Sequence, residues 1–318
     1  MNQMEIFSYS LYAGLSCILI KMGTTIKYEN IDIQHPLYFL NVFVHQYIWD
    51  PLYTFFIVVL IKPPIHQVYG MFIATLTPAT VAASVTTYTV NGDVPLAVAM
   101  SIASLLQSII LTPILFSIMV KMYVRTLKKD GDEKIVMPYL RMFGLMMYVI
   151  VLIGTGFFFR RNIRASIVNP TARYLQRATI FFMLIAFGCF FASSVFIKAI
   201  TPSNPLSYFG SIIILTYGPL VSAYFPTYMM KSVKKKDSII LVITRRSPGI
   251  SLAIATLSFQ NTDHYGSVVG YILVFGMIRD WAFMPFLMYL RKKRLGHFFF
   301  SKDNHPESNA VIEDDTRV

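Results

Sequence analysis

Nine mostly apolar stretches, each about long enough to cross a bilayer and separated by short polar segments, constrain this chain more than any other feature. They run roughly over residues 6–22, 36–61, 66–91, 94–123, 136–159, 178–200, 206–230, 236–261 and 265–290. At 1.5 Å per helical residue, about 20 residues span the hydrocarbon core. The first stretch is therefore short, and several others have residues to spare for tilting or bending. Composition points the same way: 55% of the residues are apolar, 14% are charged and the mean hydropathy is +0.56. Soluble domains carry about 25% charged residues. So little polar surface cannot face water all round, and lipid must cover much of the exterior. The expected fold class is an all-α polytopic membrane protein with nine transmembrane helices and the lipid bilayer as its first partner.

The net charge of +12 would suggest nucleic acid in a soluble protein. Here the basic residues cluster between apolar stretches, which points to membrane orientation and to no nucleic-acid partner. The strongest clusters are Arg160, Arg161, Arg164, Arg173 and Arg177, then Lys231, Lys234, Lys235 and Lys236, then Arg291, Lys292, Lys293 and Arg294. With nine spans all three fall on the side of the C-terminus, which the positive-inside rule makes cytoplasmic. Arg125, Lys128, Lys129 and Lys134 dissent, in a segment that also holds Asp130, Asp132 and Glu133. The expected orientation is N-terminus outside, C-terminus inside, with residues 296–318 a disordered cytoplasmic tail. Cys17 and Cys189 lie inside apolar runs, so no disulfide framework and no metal cluster is expected. No basic residue precedes the first stretch and no small-residue cleavage site follows it, so it reads as a span and not a removable signal.

Two spans are interrupted. The third meets Thr77-Pro78-Ala79-Thr80 before resuming as VAASVTTYTV, and the eighth meets Arg245-Arg246-Ser247-Pro248-Gly249 before resuming as ISLAIATLSF. A mid-span proline removes a donor and clashes with the preceding turn. Within the membrane the freed backbone groups must be satisfied by protein or by a water-filled cavity. Two such breaks in corresponding positions of the two halves of a chain point to the binding site of an inverted-repeat transporter. Kinked packing helices are the plainer alternative.

The residues around these breaks carry a family resemblance. Met22, Gly23, Pro36, Gln46 and Pro51, then Pro78, Ala82, Gly92, Asp93 and Leu96, then Leu257-Ser258-Phe259, follow the order and spacing of motifs in the bile acid:sodium symporter family. The similarity covers nearly all of the chain up to residue 294. The resemblance implies two inverted repeats of four and five spans, over residues 1–130 and 131–295, with the broken third and eighth spans crossing near the midplane. It implies a core domain of spans 2, 3, 4, 7, 8 and 9 and a panel domain of spans 1, 5 and 6. It also implies sodium as the coupling ion, a small organic anion as substrate, the plasma membrane as the default address, and transport rather than enzymatic catalysis.

Carried over residue by residue, the resemblance leaves few sodium ligands. A hard cation replaces its water shell only with oxygen ligands. The family's Ser-Asn pair on the first broken span falls on Ala83-Ser84, its next serine on Ala97, and its following threonine on Ser101. Its shared glutamate falls on Val242 and its Gln-Asn pair on Arg246-Ser247. Gln46 is retained. Arginine is a permanent cation that offers only donors, so sodium coupling is expected to be lost or altered.

New charges stand nearby. Asp50 follows Gln46 by one helical turn and shares its face, and Arg279 and Asp280 lie within the ninth span. Ionisable residues at such depth pair or line a cavity. Asp50 or Asp280 is therefore expected to neutralise Arg245 or Arg246, replacing a bound cation by a fixed one; one of these acids could instead carry a proton. The candidate site comprises Gln46, Asp50, Thr80, Ser84, Ser101, Arg245, Arg246, Ser247 and Asp280. The hydroxyls among them, with Thr86 and Thr87, could line a substrate path or bond their own helices, and His45 reads as a packed residue. The leading function is secondary transport of bile-acid-like or steroid-conjugate-like organic anions. A scaffold or receptor-like protein that keeps the fold is the alternative.

Overall fold

A computed structural model describes residues 3–25, 36–80, 82–126, 139–193, 204–228, 230, 232–259, 262 and 265–301. Among these, every regular element is a helix, and the one β-type feature is an isolated bridge between Ala79 and Arg246. The helices are α1 (Gln3–Thr25), α2 (Pro36–Val44), α3 (Asp50–Ile61), α4 (Ile65–Leu76), α5 (Ala82–Thr89), α6 (Val94–Thr126), α7 (Tyr139–Asn162), α8 (Ala165–Phe191), α9 (Pro205–Tyr228), α10 (Val233–Thr244), α11 (Pro248–Phe259) and α12 (Tyr265–Ser301). A π-helical turn, His45–Trp49, joins α2 to α3. Seven segments are long and apolar enough to cross a membrane: Glu5–Thr24, Pro36–Ile61, Val94–Thr126, Leu140–Asn162, Ser166–Phe191, Pro205–Tyr224 and Tyr265–Tyr289. The chain is a multi-pass integral membrane protein. The third and eighth stretches each form two short helices, α4 with α5 and α10 with α11, around a non-helical break.

The π-turn has a local cause. Pro51 has no amide hydrogen and its ring would crowd the carbonyl one turn earlier. The ladder loosens just before it, and the Asp50 amide donates to the His45 carbonyl five residues back. Gln46 and Asp50 consequently flank a widened turn, both fully buried. At its far end α3 stops at Lys62, whose left-handed backbone (φ 52°) and N–H to the Val58 carbonyl close the helix ahead of Pro63-Pro64.

Two helix contacts shape the bundle. α1 lies along α7 and α8. At Gly23 and Gly156 the backbones of α1 and α7 touch, so a side chain on either glycine would collide with the other helix's main chain. α4 lies against α12, where Gly70 leaves room for the ring of Tyr271. Tyr271 and Gln67 both reach Ser211 of α9, at 3.1 and 3.2 Å, so a polar link ties α4, α9 and α12 inside an otherwise apolar core.

Two expected boundaries move. Arg173 and Arg177, expected in a segment between spans, lie on α8, which starts at Ala165. Its 27 residues extend about 40 Å, beyond a hydrocarbon core of about 30 Å. Arginine is a good helix former whose head can reach the headgroup layer, so the helix continues where hydropathy alone would end it. α12 continues to Ser301, past the expected start of the tail at residue 296. The dissenting cluster around Lys128, Lys129 and Lys134, Lys231, and the tail from residue 302 onward lie outside the described residues.

Candidate functional site at the crossing of the two breaks

The two breaks lie against each other. Thr77-Pro78-Ala79-Thr80 and Arg245-Arg246-Ser247 run antiparallel. The Thr80 amide donates to the Arg245 carbonyl at 2.8 Å, and the Ser247 amide donates to the Pro78 carbonyl at 3.0 Å. The backbone groups that each break frees are therefore satisfied by the other break, as burial away from water requires. Side chains complete the accounting. Thr112 of α6 donates to the last carbonyl of α4, Leu76, at 2.9 Å. Ser247 precedes Pro248 and Gly249 and caps α11 by accepting the Ile250 amide at 3.3 Å. This is the serine, then proline at the first helical position, that an N-terminus favours. Thr77 and Ser251 share a hydrogen bond across the crossing at 2.9 Å.

Gln46 belongs to the scaffold of this crossing. The Ala79 amide donates to Ser104 Oγ at 2.9 Å, and Ser104 Oγ donates to Gln46 Oε1 at 2.7 Å. Gln46 Nε2 donates to the Tyr47 hydroxyl at 3.1 Å, which in turn donates to the Ser104 carbonyl at 2.8 Å. Ser104 and Tyr47 were not among the residues the sequence singled out. A serine in the middle of an apolar helix and a tyrosine beside a π-turn carry no distinguishing signal, and only the tertiary contact gives them a role.

Charge collects at the breaks themselves. Arg246 is buried and forms an ion pair with the buried carboxylate of Asp50, NH2 to Oδ2. Arg279 of α12, 4% exposed, donates to the Arg246 main-chain carbonyl at 2.8 Å. Arg245 approaches Asp280 at 3.7 Å and Arg279 approaches the same carboxylate oxygen at 3.6 Å, charge contacts beyond hydrogen-bond distance. The side chain of Asp280 is 46% exposed. Arg245 also lies over the ring of Phe283, and Arg279 over that of Phe275, each at 5.5 Å.

The positions that the resemblance assigns to sodium ligands have a different environment. Ala83, Ala97 and Val242 are fully buried in one apolar cluster with Ala79, Leu96, Met100, Ile239 and Ile243. The Ser101 hydroxyl donates to its own helix, at the Ala97 carbonyl, 2.8 Å away. The residues present do not suit a sodium ion at those positions: Ala83, Ala97 and Val242 offer no side-chain oxygen, and their described neighbours in this cluster are apolar. Of the expected site, Gln46, Asp50, Thr80, Arg245, Arg246, Ser247 and Asp280 gather at the crossing. Ser84, on α5, is buried close to the apolar cluster. Thr87 donates to its own helix at the Ala83 carbonyl, 2.7 Å away.

A helical membrane protein built around two broken helices that cross and hydrogen-bond through their unwound segments has the architecture of many secondary transporters. The chain belongs to the Sodium Bile acid symporter family, whose profile matches residues 12–201. It is 30% identical over 113 residues to a protein of Arabidopsis thaliana described as probable sodium/metabolite cotransporter BASS1, chloroplastic. It is 29% identical over 104 residues to the BASS2 protein of Oryza sativa subsp. japonica, which is described in the same way. These matches cover 35% and 32% of this chain, and only 28% and 25% of those relatives' own lengths.

Proposed function

We propose that this protein is a secondary transporter of small organic anions that works by alternating access and does not hold sodium where its family does. Its activity is carried by the crossing of the two breaks, where the Arg246 guanidinium is buried against Asp50 beside an apolar cluster at Ala83, Ala97 and Val242. A fixed ion pair at this place performs the structural task of a bound cation. It neutralises Asp50, anchors the unwound backbone and ties α3 to the break between α10 and α11. Arg245 and Arg246 suit a carboxylate or sulfate, as does the N-terminal end of α11, which opens at the break.

On this reading each broken pair counts as one crossing, giving nine. Four and five form the inverted repeats over residues 1–130 and 131–295, and α1, α7 and α8 form the panel. The close approach of Arg160 to the Thr24 carbonyl at 2.6 Å and of Lys21 to Gln176 at 3.0 Å gathers basic residues at one end of that group. That end is the cytoplasmic one under the positive-inside rule, and the plasma membrane is the address taken from the family.

The test is uptake of labelled taurocholate or a steroid sulfate into proteoliposomes, with and without a sodium gradient. Saturable uptake indifferent to sodium supports the proposal. Uptake that requires sodium and is abolished by Asp50→Asn would relocate the cation to this carboxylate and overturn it. No flux of any organic anion under any gradient would favour a scaffold or receptor that retains the fold.

A further inference from the structure

The charges at the crossing do not balance. Arg245, Arg246 and Arg279 carry three positive charges against two negative ones on Asp50 and Asp280. Three buried guanidinium nitrogens, Nε of Arg245, NH1 of Arg246 and Nε of Arg279, make no hydrogen bond among the described residues. Two of these side chains are among the most buried ionic groups described, Arg246 at 6% and Arg279 at 5% side-chain exposure. An uncompensated cation and unpaired donors are both costly at this depth.

We propose that Arg245 and Arg279, which share the single carboxylate of Asp280 while Arg246 is paired with Asp50, form a binding site for one small monovalent anion, either a free halide or the carboxylate of a carried molecule. The proposal deepens the reading of the crossing as an anion-facing centre and in that sense rests on it, but it does not require that anything is transported. Asp280 is the internal competitor for this site. Its carboxylate touches Arg245 and Arg279 at 3.7 and 3.6 Å without hydrogen-bonding either. The touching oxygen, Oδ1, is buried without a hydrogen bond, while the side chain as a whole is 46% exposed, so it can turn aside and leave both guanidiniums to an incoming anion. The N-terminus of α11, which begins at Pro248 two residues after Arg246, adds a positive dipole end close to the break that carries Arg245. Two unpaired donors, Nε of Arg245 and Nε of Arg279, and one net positive charge suit a single negative charge, and a divalent oxyanion would reverse the imbalance.

The test uses the purified full-length protein in detergent, with thermal unfolding followed as chloride or acetate replaces gluconate at constant ionic strength. A saturable rise in melting temperature is expected for chloride, for acetate, or for both. Chloride alone identifies a free halide, and acetate identifies the carboxylate of a carried molecule. Arg245→Gln, which brings the cluster to two charges of each sign, is expected to remove the rise. Asp280→Asn, which removes the competitor without touching a buried side chain, is expected to lower the half-saturating concentration about fivefold, the scale of a partly exposed ion pair. Identical curves for the wild type and Arg245→Gln, or no anion-specific rise in the wild type and in Asp280→Asn, would overturn the proposal. Because the readout is stability, an anion response without flux sinks the transport reading and leaves the site standing. Sodium-independent flux with no anion response does the reverse.

Discussion

At the residue scale, the Asp50–Arg246 pair is the centre of the proposed departure from the family's ion chemistry. A buried pair is weak evidence for stability as such, since well-packed apolar residues often do as well. Removing one partner is a different matter. Asp50→Leu alone should cost about 3–5 kcal/mol, because it strands a buried guanidinium. The double change Asp50→Leu with Arg246→Met should recover most of that loss. Thermal unfolding of the two single variants and the double variant forms a cycle, and strictly additive losses would refute a direct coupling. The pairing of these residue types was legible from the sequence, because an ionisable residue in an apolar span needs a partner. Which acid meets which arginine was not legible. Four combinations were open, and only the tertiary contacts, Asp50 with Arg246 and Asp280 with Arg245, decide among them.

At the scale of elements, the breaks are held by each other and by Ser104, while the long helices are held by their smallest residues. At Gly156 an added side chain meets the backbone of α1, whereas at Gly144 on the same helix nothing lies within 4 Å of it. Gly156→Val should therefore separate α1 from α7 and sharply lower the yield of monodisperse protein on size-exclusion chromatography. Gly144→Ala should leave the yield unchanged or slightly better, since alanine favours a helix over glycine by about 1 kcal/mol. Equal profiles for both variants would contradict the described contact. The distinction between these two glycines is invisible in the sequence, where each is a glycine in an apolar helix. The breaks were visible, because Pro78 and Pro248 act on the chain locally. The extent of α8 was not, because hydropathy marks where lipid begins and not where a helix begins.

At the scale of the whole molecule, the proposed alternating access would move α1, α7 and α8 against the body that carries the breaks. Leu15 of α1 lies against Gly249 at the start of α11, with 3.5 Å between its Cδ1 and the position a Cβ would take. In a background with Cys17 and Cys189 replaced by serine, cysteines at Leu15 and Gly249 should be joined by a short bifunctional thiol reagent. That link should arrest flux until it is reduced. Unchanged flux after complete cross-linking would show that this contact does not open during transport.

The amino-acid sequence by itself determined that the chain enters a membrane, where its helices break, and that Ala83, Ala97, Val242 and Arg246 carry no side-chain oxygen. Each of these follows from local chemistry: apolar length, proline, and the identity of single side chains. Only the tertiary structure decided that the two breaks satisfy each other's backbone, that Gln46 serves the crossing through Ser104, and that Ala83, Ala97 and Val242 close into one apolar cluster. It also decided which carboxylate faces which arginine. Hydrogen bonding and charge pairing act over a few ångströms between residues 25 to 196 positions apart in the chain, and chain order carries no record of that distance. The interrupted helices that first pointed to a site are, in three dimensions, a single structure with three arginines around it.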